Sequence, residues 1–277
     1  MKKRLKKLFD IPWYSKKNKT TLNLLTTFSA FKPHGNQNYK TFEPLVIKNI
    51  NEIILKLSQI SEIENKTTIV EYLNFYEQSK HKNTFEIKEI LSKNFDLNGS
   101  DKVKNCYHFI YSCLFKNLTE NYKILEIGLG TNNPNLVSSM GKNGTPGASV
   151  RAFRDSFPNA KVFGADIDID ILFKSERIET YFVDQNDLNS FKNIPLLDDS
   201  KFDIIIDDGL HYQLSNLNTL LYALENLNID GYFIIEDIGR WTIETWKIVN
   251  KILPKNFDSK IIHMIDSNYI FLVKKLK

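Results

Sequence analysis

The sequence predicts an α/β fold in which a mostly parallel sheet closes with an antiparallel hairpin and follows an N-terminal helical region. Three observations carry this expectation. From Lys123 onward, short apolar runs alternate with helical or loop segments, the pattern of parallel strands joined by crossovers. The last two apolar runs, 259 to 265 and 269 to 274, are separated only by Asp266-Ser-Asn268. So short a link demands a hairpin, because a parallel crossover needs roughly a dozen residues. Ahead of these runs, from Phe42 to about Phe95, apolar residues recur at helical rather than strand spacing.

Taken in chain order, residues 1–20 hold eight Lys or Arg against one Asp, so the formal charge of +4 is a property of this tail and the remainder carries about −3. Such a tail reads as solvated, with weak contact to anionic lipid headgroups as its functional alternative. No continuous apolar stretch follows it, so neither an export signal nor a membrane span is expected. In the helical region, residues 21–98, Leu45, Ile50, Ile53, Ile54, Leu57 and Ile60 form one amphipathic series and Ile69, Tyr72, Leu73 and Tyr76 a second. Polar Ser61 to Thr68 separates the two helices they predict. Helices placed ahead of a ligand-binding core suit an acceptor cover or a homodimer contact.

The ligand-binding domain is expected over 99–277. A third helix, about Lys102 to Asn117, opens it with Tyr107, Ile110, Tyr111 and Leu114 on one stripe. Strands are expected near 123–127, 161–166, 178–183, 202–207 and 231–236, and helices near 147–157, 213–227 and 240–252. Cys106 and Cys113 are the only cysteines, two turns apart on the third helix and about 10 Å from one another by helical rise. They are too distant for a disulfide and read as reduced thiols of a cytoplasmic protein.

The first strand runs into Gly128 and Gly130, and glycines there let the backbone turn tightly beside a ligand at the carboxyl edge of the sheet. A dinucleotide turn would want a third glycine and an acid about 20 residues on, whereas the next strand-end acid, Asp166, lies some 38 residues after Gly128. Asp166, with Asp168 as the nearby alternative, is placed to accept ribose hydroxyls. Glu126, inside an apolar strand, needs a partner when buried. The long insertion Thr131 to Ser149 is expected to be functional, with Ser149 capping the following helix and Arg151 near an anionic group. At the third strand's end, Asp184, Gln185 and Asp187 are candidates for reading an adenine amino group.

The fourth strand runs into Asp207-Asp208-Gly-Leu-His211 and the fifth into Glu236-Asp237. Four carboxylates at neighbouring strand ends repel one another unless a cation lies between them, and oxygen donors of this kind suit Mg²⁺ or Mn²⁺. His211 follows within four residues, and an imidazole is the side chain best matched to removing a proton near neutral pH. A hydroxyl acceptor would need that help to attack a sulfonium methyl group.

With Glu126 to Gly130, Gly147-Ala-Ser-Val-Arg151, Phe157-Pro-Asn-Ala160, Gly164-Ala-Asp-Ile-Asp168, Asp184-Gln185, Asp207 to His211 and Glu236-Asp237 in this order, the chain resembles the metal-dependent sugar O-methyltransferases. These are enzymes of the macrocin and mycinamicin type, with relatives in surface-polysaccharide and capsule pathways. The resemblance covers about Gly99 to Asp237. It implies a Rossmann-like class I methyltransferase sheet, S-adenosylmethionine as methyl donor and a sugar or nucleotide-sugar acceptor. It further implies metal ligation by Asp208, Glu236 and Asp237 with Asp207 as substitute, and His211 as base. By the same resemblance Gly99-Ser-Asp-Lys102, with Tyr107 and Tyr111, closes over the cofactor. Asn105 and Leu210 stand where that family often has His and Ser. Another small acceptor, such as a phosphoramidate or a natural product, or a noncatalytic binding role, are the alternative readings. The charge outside the tail offers no basic track for nucleic acid.

Overall fold

The computed structural model describes residues 52–195 and 201–277, so the basic tail and the start of the expected helical region lie outside the described residues. The chain forms two compact units, Met1–Ile63 and Glu64–Lys277. In the first, residues 52–61 are helical. The second runs β1 (Ile69–Glu71), α1 (Tyr72–Ser79), α2 (Thr84–Asn98), α3 (Tyr107–Leu114), β2 (Lys123–Ile127), α4 (Ala148–Ser156), β3 (Lys161–Asp166), β4 (Lys174–Ser175), β5 (Ile178–Phe182), β6 (Phe202–Asp207), α5 (Gln213–Asn226), β7 (Leu227–Gly239), α6 (Ile243–Ile252), β8 (Phe257–His263) and β9 (Asn268–Lys275).

The strands form one sheet in the order β1-β8-β9-β7-β6-β2-β3-β5-β4. The central strands β5, β3, β2, β6 and β7 pair in parallel, and β9 runs antiparallel between β7 and β8, as the short hairpin link requires. Reversal of direction from β2 to β3 on one side and β6 on the other opens a crevice at the carboxyl ends of these strands, where ligands bind in open α/β sheets.

Three expectations about the N-terminal part are corrected. The boundary near residue 98 falls instead at 63, because β1 pairs in parallel with β8 and α2 packs on α4, so 64–98 belong to the same unit as the rest. The second amphipathic series is not one helix: Ile69 lies in β1, and the helix breaks at 80–83, where the His81 amide donates to the Thr84 hydroxyl. Cys106 does not share the third helix with Cys113 but precedes it in a left-handed conformation, and both thiols are free.

Strand alternation sorts the site residues before any ligand is considered. Ile124 of β2, Ile206 of β6 and Ile234 of β7 belong to the core facing α1 to α4, while Leu125, Ile205 and Ile235 belong to the core on the opposite face. Side chains two positions apart share a face. Glu126 therefore follows Ile124, and Glu236 follows Ile234, toward α3. Asp207 follows Ile205 to the other side. The first core is rich in aromatic rings: Phe153 of α4 meets Phe95 of α2 and Tyr111 of α3 edge-on, at 5.2 and 5.3 Å between centroids.

At the sheet's outer edge, His263 Nδ1 lies 3.0 Å from the Glu71 carboxylate, and its Nε2 lies 3.0 Å from the Asp266 carbonyl. Burial disfavours the charged ring, but these two partners outweigh it and raise the pKa above the ordinary value. A raised folded-state pKa means that this clamp stabilises the fold fully below the unfolded His value and fades as pH rises through the folded one. The melting-temperature difference between wild type and His263→Gln should accordingly be larger at pH 5.5 than at pH 8. The stability lost should stay within about 1 kcal/mol, as for other partly exposed pairs.

Candidate active site

The glycine turn after β2 is fixed by backbone bonds to its neighbours. Gly128 N–H donates to the Ala165 carbonyl at 2.8 Å and Gly147 N–H to the Leu129 carbonyl at 2.7 Å. Gly128 has φ +96°, and a Cβ there would come within 2.1 Å of the Asp208 carbonyl oxygen. Gly128→Ala should destabilise the protein, since the left-handed backbone alone costs about 1–3 kcal/mol and relief of the clash displaces Asp208, and urea unfolding reads that loss.

Two adjoining cavities open on this turn and share Gly128, Gly130, Ser138, Asp208 and Gly209. The first, about 370 Å³, is lined by Asp166, Asp184 and Gln185 and by Leu136 and Val137 of the insertion. The second, about 610 Å³, is lined by Lys102, Ser149, His211 and Asp237. Both volumes are in the range of small-molecule sites. The insertion thus walls both cavities, and Met140 packs so closely on Gly130 that a Cβ there would meet its sulfur at 2.3 Å.

Of the two acids offered for the ribose, Asp166 lines the first cavity. Its Oδ2 accepts from the Leu129 amide at 2.7 Å and its Oδ1 from the Asp168 amide at 2.9 Å, so it also holds the glycine turn. Burial raises its pKa, and those amides oppose the shift. Asp168 is instead taken up by the Thr131 hydroxyl and the Asp170 amide. At the third strand's end Asp184 lines the cavity with one oxygen on the Asn186 amide, whereas Asp187 caps the next turn through the Asn189 amide.

Several expected contacts prove to be supports. Gln185 donates to Asp207 at 2.7 Å and to Thr219 at 2.9 Å, and accepts from the Leu210 amide at 2.7 Å. Asp207 is fully buried on the α5 side, where Asn216 donates to it at 3.0 Å, and lines neither cavity. Its two oxygens are taken up by Gln185 and Asn216 on that side, as its strand position dictates. Arg151 donates to the Pro146 carbonyl at 2.7 Å and stacks on Phe173, bracing the insertion. Gly147, not Ser149, caps α4, and the Ser149 hydroxyl donates to Glu126. Tyr107 donates to Asp237 Oδ1 at 2.5 Å and lines neither cavity.

On the α3 side of the sheet, Lys102 enters the acidic cluster. Its Nζ lies 3.1 Å from Glu126 Oε1, 2.8 Å from Asp208 Oδ2 and 2.5 Å from Glu236 Oε2. Burial opposes the ammonium charge, but Asp208 and Glu236 hold it well above the usual lysine range. Lys102 and His211 hold Asp208 below the carboxylate range against its burial. Burial and the nearby Asp208 instead push Glu236 well upward, and its second oxygen accepts from the Tyr111 hydroxyl. Burial likewise raises Glu126.

Of the expected metal set of Asp208, Glu236 and Asp237, the structure brings Asp208 and Asp237 together beside His211, while the oxygens of Glu236 meet Lys102 and Tyr111. The ligand atoms that converge, all within 4.8 Å of one another, belong to Asp208, His211 and Asp237. A bulge in β7 between Ile235 and Ile238, with Asp237 at φ +54°, turns Asp237 toward the crevice beside its neighbour. His211 also has positive φ, +57°, and its Nε2 stands 4.0 Å from Asp208 Oδ1 and 4.0 Å from Asp237 Oδ2. Those separations are too long for hydrogen bonds. Two part-exposed carboxylates beside an imidazole fit Mg²⁺ or Mn²⁺. Asn268, which sequence reasoning missed, donates to Asp237 and to Tyr107. Its signal was the turn of the closing hairpin, which returns to the carboxyl edge.

No family model matches the chain. A stretch of 124 residues, 43% of this chain, is 31% identical to the 8-demethyl-8-(2-methoxy-alpha-L-rhamnosyl)-tetracenomycin-C 3'-O-methyltransferase of Streptomyces olivaceus, covering 28% of that protein. A second match, 30% identical over 125 residues, joins 44% of this chain to 28% of the demethylmacrocin O-methyltransferase of Streptomyces fradiae. The mycinamicin VI 2''-O-methyltransferase of Micromonospora griseorubida is 31% identical over 96 residues, 35% of this chain and 23% of that protein. The matched stretch spans about a quarter of the length of these relatives. Among solved structures, the MycE methyltransferase of the mycinamycin pathway, in complex with Mg, SAH and mycinamycin VI, superposes with a TM-score of 0.52 at 20% identity. The superposition covers 68% of this chain and 53% of that one. The fold is the Rossmann-like sheet of class I methyltransferases.

Proposed function

We propose that this chain transfers a methyl group from S-adenosylmethionine to a hydroxyl of a sugar or sugar-bearing small molecule, assisted by a divalent metal ion, Mg²⁺ first. The observation that carries the reading is the meeting of two sites: the glycine-turn crevice and the Asp208, His211 and Asp237 cluster share one wall at the carboxyl ends of β2, β6 and β7. The named relatives support it, since all are O-methyltransferases and the first is named for a rhamnosyl-bearing compound. A glycan or capsule precursor, free or nucleotide-linked, is the acceptor class proposed for this chain, working in the cytoplasm. No helix among the described residues is long and apolar enough to cross a membrane.

In this reading Asp166 accepts the ribose hydroxyls and Asp184 faces the adenine end, while Ser149, whose hydroxyl donates to the buried Glu126, bounds the methionine end of the crevice. Asp208 and Asp237, which converge beside His211, would hold the metal. When bound, the cation would stabilise negative charge as it builds on the acceptor hydroxyl oxygen. His211 Nε2 takes the hydroxyl proton, with the ring's own proton on Nδ1. The insertion keeps bulk water from the reacting atoms. Incubation with isotopically labelled cofactor and a panel of nucleotide sugars, free sugars and glycosylated small molecules tests the proposal by mass spectrometry. Label recovered in a sugar O-methyl group supports it, and label recovered only on nitrogen, or on no acceptor, contradicts it.

A further inference from the structure

The helix that follows the acidic loop is inverted for its place in the fold. A surface helix turns its apolar stripe to the core and its polar face to water, but α5 buries Ser215, Asn216, Asn218 and Thr219 and turns only one leucine, Leu220, fully inward. The inward polar groups brace the site. Asn216 donates to Asp207, Thr219 accepts from Gln185, and Asn218 donates to the Gln185 carbonyl at 2.8 Å. The other leucines are displaced outward. Leu214 and Leu221 are 61% and 51% exposed, while Leu217 and Leu224 pack only partly on the core beneath α5. These four stand at i, i+3, i+7 and i+10, the narrow seam spacing by which one helix packs along another.

We infer that this leucine seam is an interface with a second copy of the chain, α5 lying antiparallel on α5 of the partner about a two-fold axis. It needs nothing of the methyl-transfer reading. Charge selects this occupant. The first turn of α5 carries neither an acid nor a side-chain cap, and its last turn carries no basic residue but ends beside exposed Glu225. A carboxylate at that end opposes the dipole of its own helix. An antiparallel copy carries each Glu225 to the partner's helix start, where the dipole favours it. Exposed Arg240, just past β7 at the same carboxyl edge as that start, adds positive charge there, and α6 beyond it is tied to α5 by the Gln213 to Thr245 bond of 3.1 Å. Glu225 is the one charged side chain on α5, so the seam itself holds nothing that repels a like copy. A two-fold contact is self-complementary, and one stripe serves both partners. The leucines alone fall short of the ~800 Å² that each partner gives a standard interface. Exposed Leu188, in the turn packed beside α5, and exposed Tyr212, at the helix start, extend the patch.

Sedimentation equilibrium of the full chain tests the inference, and wild type should be a dimer at micromolar concentration. Leu214→Glu combined with Leu221→Glu should raise the dimer dissociation constant at least about a hundredfold, with circular dichroism unchanged because both side chains point outward. Glu225→Lys should weaken the dimer about fivefold yet raise the urea midpoint of the dissociated chain, since lysine suits the end of its own helix. A purely structural role for Glu225 would move both readings the same way. Where the double leucine variant fails to fold, Glu225→Lys, a single exposed change, carries the test alone. A monomeric wild type overturns the inference, and so does a dimer that these variants leave as tight as wild type.

Discussion

His211→Ala lowers the methyl-transfer rate by about 10²- to 10⁴-fold, the usual contribution of a positioned general base, while affinity for S-adenosylhomocysteine stays within about twofold. The separation follows from placement. His211 lines the second cavity and not the first, where Asp166 and Asp184 lie. It makes no hydrogen bond that holds the glycine turn, which is tied by Asp166 and by backbone bonds. Single-turnover rates and calorimetry on the same preparation check both halves. Loss of cofactor affinity in parallel with rate would make His211 a structural support for the crevice, and an unchanged rate would remove it from the chemistry.

Phe153→Ala carries the largest expected stability effect, about 3–5 kcal/mol, as for other buried Phe truncations. Phe153 is fully buried in α4 and lies at the meeting point of three helices, with Phe95 of α2, Tyr111 of α3 and Phe115 just beyond it. The cavity cannot close by movement of one neighbour. Tyr111 also donates to Glu236, so the damage reaches the site. Urea unfolding should show the lower midpoint, and a bound cofactor analogue should recover part of it by mass action. A loss below about 1 kcal/mol would mean that α4 is not packed as described.

Much of the fold could be read from apolar runs, because β2, β3 and β6 are buried on both faces and end in Gly or Asp at the crevice. The same pattern failed at β1, three residues at the sheet edge with Ile69 part exposed, which helical spacing absorbed. Strand-end position placed Asp166, Asp208, His211 and Asp237 at the crevice, and all four line its two cavities. It could not separate adjacent acids by role. Asp207 and Asp208 differ only by the strand alternation that sends one toward Gln185 and Asn216 and the other toward Lys102. The contact of Glu236 could not be read for a related reason: its partner Lys102 lies 134 residues earlier, and no local pattern marks that pair. The acids did signal a shortage of positive charge. What the sequence left open was that a lysine supplies part of it.

Chelation of wild-type enzyme during methyl transfer to a sugar acceptor tests the central claim most directly. With EDTA present the rate should fall at least about 100-fold, in keeping with the several kcal/mol a metal ion supplies to a developing charge. Excess Mg²⁺ should restore it, and Asp237→Asn should not respond to the metal. A transfer rate that is the same with and without the chelator would contradict the account.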